Sequence, residues 1–61
     1  MPRYHIQWVA MVPAGATREQ TTKEYYLVAT SERAALDNAR AIMRNADIEP
    51  LGQPDVRKVH D

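Results

Sequence analysis

Residues 3–12, RYHIQWVAMV, alternate with a period of two. Tyr4, Ile6, Trp8, Ala10 and Val12 fall on one side, and Arg3, His5, Gln7, Val9 and Met11 on the other. With its β-favouring residues, this pattern predicts a first strand. Pro13 is expected to end it, and PAGATREQTT then reads as a polar connection that flexes at Gly15. Residues 24–30, EYYLVAT, predict a second strand whose two faces are both apolar: Tyr25, Leu27 and Ala29 on one, Tyr26 and Val28 on the other. Such a strand is expected to be covered on both sides.

After Thr30 the period changes. Ala35, Leu36, Ala39, Ile42, Met43 and Ala46 form one stripe at 100° per residue, which predicts a helix from Glu32 to Asn45 or Asp47. Ser31 is the expected N-cap, with Thr30 as its competitor. Glu32 complements the positive end of the helix dipole. Pro50 disfavours helical backbone at Glu49, so IEPLGQPD is expected to be a loop. DVRKVH, 55–60, predicts a short last strand.

The order β-β-α-β implies an antiparallel hairpin, a helical crossover, and a last strand parallel to the second. A right-handed crossover that skips one strand places the first strand in the centre, in order 2-1-3. The expected fold is a single compact α+β domain over 1–61, a three-stranded antiparallel or mixed sheet with the helix on one face. The covered face is expected to carry Tyr4, Ile6, Trp8, Ala10 and Val12.

Composition sharpens this picture. A 61-residue chain buries only about 60% of its unfolded surface. The core is thin: nine residues are alanine and phenylalanine is absent. Cysteine is absent too, which removes disulfides as a remedy. His5 and His60 are too few for a structural zinc site, so no metal or cofactor is expected. Self-association is the remedy left, and Val9 and Met11 on the uncovered face are its expected contacts.

Eight basic and eight acidic residues cancel. A neutral chain argues against a strong non-specific nucleic-acid binder. No apolar run is long enough to span a membrane. The start MPRYHIQW lacks the apolar segment of a secretory signal, so a cytoplasmic protein is expected.

Candidate chemistry is sparse. Arg33, Asp37, Arg40 and Arg44 share one side of the helix. The ordinary reading is a solvated face in which Asp37 pairs with Arg33 and Arg40. The functional one is a basic stripe for phosphates or an acidic protein. Ala34, Asn38, Ala41 and Asn45 form a second row, read either as a helix–helix contact or as helix-favouring surface. The Thr30-Ser31 junction has the residue types of an anion site, yet no glycine-rich loop precedes it, so it reads as a cap. Of the aromatic residues, Trp8 reads as core. One of Tyr25 and Tyr26 must face away from the helix and is the better contact residue. His5 and His60 approach if the first and last strands pair, but a domain this small offers them little cleft for proton transfer.

The resulting expectation is a non-enzymatic, self-associating module that binds another protein, of inhibitor or adaptor type. The alternatives are a dimer that holds a small anionic, nucleotide-like ligand through Arg3, His5 and a tyrosine, and a nucleic-acid binder that uses Arg33, Arg40 and Arg44.

Overall fold

A computed structural model describes residues 1–60, without the side chain of His60. The elements are β1 (Arg3–Ala14), β2 (Thr17–Val28), α1 (Glu32–Asn45), β3 (Glu49–Pro50) and β4 (Asp55–His60). β1 is central. β2 lies along one side of it, antiparallel from Arg3↔Val28 to Ala14↔Thr17. β4 and the two-residue β3 share its other side, also antiparallel. The expected order 2-1-3 is therefore present, with one extra short strand beside Ala10 and Met11.

The hairpin is longer than the apolar pattern predicts. Residues 17–23 belong to β2 and not to a loop, and β1 runs on through Pro13 to Ala14. Gly15 has φ 64° and Ala16 no positive φ, the pattern of a two-residue II′ turn. Ala14 and Thr17 close that turn, so even-numbered residues of β1 aim their backbone groups at β2 and odd-numbered ones away from it. The Val9 carbonyl accordingly accepts from Leu51 N–H on the far side, at 2.8 Å. Pro13 is odd-numbered. Its missing N–H faces away from β2, so no ladder bond is lost and the strand continues.

The helix begins as predicted. Ser31 has extended backbone, and its hydroxyl accepts from Ala34 N–H at 3.1 Å, which fixes it as the cap in place of Thr30. The helix ends in a Schellman arrangement: Asp47 N–H donates to Arg44 O at 3.2 Å and Ile48 N–H to Met43 O at 2.8 Å. Asp47 occupies the left-handed position, at φ 58°, where glycine is usual.

The core is Tyr4, Ile6, Trp8 and Ala10 of β1, Ala29, and Ala35, Ala39 and Met43 of the helix. Alanines at two of the three buried helix positions bring the helix backbone close to the sheet. The stripe is narrower than expected: Ile42 and Ala46 are exposed, and Leu36 is half-buried. Trp8 donates from Nε1 to the Gly52 carbonyl at 3.2 Å, tying the loop before β4 to the core. The Cα trace measures 41 × 18 × 15 Å. The long axis matches a twelve-residue strand at about 3.4 Å per residue. Residues 17–22 are exposed on both faces, so the hairpin tip is an arm beyond the helix.

Candidate functional site

The helix covers one face of the sheet and leaves the other open. By the register, the open face carries Arg3, His5, Gln7, Val9 and Met11 of β1 beside Val28, Tyr26, Glu24, Thr22 and Gln20 of β2. Arg57 and Asp55 of β4 flank His5 and Gln7. The expectation that β2 is covered on both faces is not met within the chain. Its inner row of Tyr25 and Leu27 packs against the core, while Tyr26 is 64% and Val28 51% exposed. Val59 is 49% and Val9 38% exposed, and Met11 is half-buried.

The centre of the open face is ordered by its own contacts. The His5 ring stacks on Tyr26, with centroids 4.5 Å apart and planes 3° from parallel. His5 Nε2 lies 2.9 Å from Glu24 Oε1, and Gln7 Nε2 donates to the same oxygen at 3.2 Å. An ionised carboxylate only accepts, so His5 carries its proton on Nε2. The result is a half-apolar, half-polar patch in which an aromatic pair stacks across β1 and β2.

Tyr26, not Tyr25, is thus the outward tyrosine. Tyr25 points under the helix, where its hydroxyl is buried without a hydrogen-bond partner and burial raises its pKa above the usual phenol value. Arg3 stands exposed on the open face. The helix arginines lie on the other side of the molecule, so the sequence-predicted site residues divide between opposite surfaces.

These arginines are not equivalent. The Arg40 guanidinium sits over the Trp8 ring at 5.3 Å and lies 3.8 Å from Asp37. Arg40 is committed to covering the core tryptophan as much as to solvent. Asp37 pairs with Arg40 but has no ion pair with Arg33 among the described residues. Asp47 holds Arg18 and not Arg44: Arg18 donates to its carboxylate at 3.2 Å and to its carbonyl at 2.7 Å. Arg44 lines an open cleft of about 530 Å³ with Arg18, Asp47, Ile48, Glu49 and Pro50. Two arginines there face two carboxylates, so the cleft has no net sign.

Sequence reasoning missed Arg18, Glu24 and Asp47. Arg18 passes over β1 to reach the Met11 carbonyl, 3.2 Å away, and Asp47 beyond it, tethering the arm to the helix end. In the outer half of its strand the sequence signal is limited to the β-favouring Thr17, Thr21 and Thr22.

β4 pairs with β1 as expected and sets the His60 backbone opposite Arg3. The expected approach of the two histidines falls on the His60 side chain, which lies outside the described part. Among the described residues no group of three or more His, Asp or Glu is placed to hold a metal. No described helix is long and apolar enough to cross a membrane. Compared with family models, with curated proteins and with solved structures, the chain matches none.

Proposed function

We propose that this chain is a non-enzymatic, self-associating module that binds another protein through the open face of its sheet. The observation that carries the reading is the one-sided covering of the sheet. Val9, Tyr26 and Val28 are exposed large apolar residues of that face, on a domain whose core has eight buried side chains among the described residues, four of them alanine. Exposed apolar surface of this kind marks an interaction site. A core this thin gains stability from a second copy.

The chemistry of the patch favours a protein over the other partners. Glu24 sits against His5, so a small anion at Arg3 and His5 would meet a carboxylate. The Arg40 charge is shared with Asp37 and the Trp8 ring, which weakens a phosphate-binding stripe on the helix. An aromatic pair with apolar neighbours and a few charges resembles the make-up of a protein–protein contact.

Sedimentation equilibrium on the unaltered chain tests self-association: an oligomer is expected at micromolar concentration, and a monomer throughout contradicts it. The face is tested by purifying a stoichiometric partner from the native cell and reassembling the pair from pure components. Val9→Asp and Val28→Asp should abolish that binding while Asn38→Asp, on the helix, leaves it intact. Equal binding by all three variants contradicts the assignment of the face.

A further inference from the structure

The self-association proposed above needs a joint, and β2 carries one. Among the described residues β2 pairs with β1 alone, which leaves its outer edge free along twelve residues. The turn closed by Ala14 and Thr17 fixes which groups that edge presents. Odd-numbered residues of β2 bond to β1, and Arg18, Gln20, Thr22, Glu24, Tyr26 and Val28 aim N–H and C=O outward. Long free edges are sites of strand addition, and proteins ordinarily block them. The charges on this edge do not block it against a second copy of itself.

We propose that two copies join β2 to β2, antiparallel, about a two-fold axis through Thr21. Thr21 then faces Thr21 of the second copy, Gln20 faces Thr22, Glu19 faces Lys23, and Arg18 faces Glu24. Among two-fold centres within β2, Thr21 is the only one that sets charged residues of opposite sign against each other. A centre at Glu19 or at Lys23 sets that charge against itself. Glu19 and Lys23 have no ion pair among the described residues, so each is available to the second copy. Arg18 and Glu24 keep their own-chain partners and add attraction across the joint.

The backbone agrees with this register. Arg18 and Gln20 meet Glu24 and Thr22 as hydrogen-bonded pairs, each with outward groups on both strands. Thr21, whose own groups serve β1, meets its copy at a non-hydrogen-bonded pair, where Cα atoms approach to about 4.5 Å and threonine pairs are favourable. Residues 17–22 are exposed on both faces, so the partner strand meets no obstruction from the helix. The axis is perpendicular to the sheet. Both helices lie on one side, and the two open faces merge into one surface that leaves Val9, Tyr26 and Val28 outside the joint.

Three substitutions read by sedimentation equilibrium and oxidative cross-linking test this. Thr22→Pro removes only an outward N–H, so it should yield a monomer with an unchanged circular dichroism spectrum. Lys23→Glu should also yield a monomer at concentrations where the unaltered chain is dimeric, and adding Glu19→Lys should restore the dimer. Thr21→Cys, in a chain otherwise free of cysteine, should form an interchain disulfide under mild oxidation, while Lys23→Cys should not. If the unaltered chain dimerises but Thr22→Pro still does and Thr21→Cys stays unlinked, the edge joint is overturned and self-association stands. Loss of that dimer on Val9→Asp would then place the contact on the open face. A monomeric unaltered chain overturns the joint and self-association together.

Discussion

Asp47 is the residue whose placement most needs a reason. A non-glycine residue in the left-handed region costs roughly 1 kcal/mol. Asp47 accepts that cost at a helix end where its carboxylate and carbonyl both hold Arg18. Its side chain is 82% exposed, so the ion pair contributes well under about 1 kcal/mol, while the carbonyl bond survives any substitution there. Asp47→Gly is therefore expected to leave stability in urea near that of the parent or to raise it slightly. Asp47→Val should lower it by about 1–2 kcal/mol, since a β-branched residue fits φ 58° poorly. Equal stability of the two variants would contradict the Schellman assignment. Tyr25 is the second telling residue. Its buried hydroxyl lacks a partner, and replacing an unsatisfied group by an apolar one is nearly neutral or stabilising. Tyr25→Phe should be at least as stable as the parent at pH 7. The raised folded pKa adds a sign: the neutral phenol is the form the fold accepts, so its contribution is full below about pH 10 and is lost as pH rises further. Alkaline unfolding should shift to higher pH in Tyr25→Phe. A large loss of stability on this substitution would reveal a hydrogen bond that the geometry lacks.

At the scale of elements, the helix–sheet contact is the weak link of a small core. Ala35, Ala39 and Met43 are the buried helix residues, and Met43 is the only large one. Met43→Ala should cost about 2–5 kcal/mol, enough to unfold much of a domain this size, as read by thermal denaturation. A change below about 1 kcal/mol would mean the helix is held by something other than that face. The elements that were legible in the sequence are those with apolar periodicity. β1 alternates along Tyr4, Ile6, Trp8 and Ala10, and the helix repeats through Ala35, Ala39 and Met43, so face, order and Ser31 cap could all be read. The outer half of β2 could not. TREQTT has no apolar period because neither of its faces is buried, and the turn geometry, the backbone ladder and the Arg18 tether hold it in the sheet. Pro13 misled for a related reason: whether proline ends a strand depends on which neighbour its nitrogen faces. The candidate site followed the same division. Val9, Met11 and an outward tyrosine were readable from alternation, whereas the contacts of Arg18 and Glu24 depend on residues 29 and 19 positions away, respectively.

The whole molecule is a thin core with a long arm. Nearly all of its apolar burial lies under one helix, and the outer half of β2 extends beyond it with polar residues on both faces. A monomer of this shape leaves two features without a structural role: an apolar patch around Tyr26 and Val28, and a free strand edge whose charges match their own reversed copy. Pairing through the edge gives the arm a continuous sheet to belong to and doubles the open face that a partner protein would meet. The central claim is thus that the working unit is two chains. Sedimentation equilibrium of the unaltered protein over a micromolar concentration series tests it most directly. The mass should approach twice the 7.0 kDa of one chain as concentration rises, and a mass that stays at 7.0 kDa throughout would contradict it.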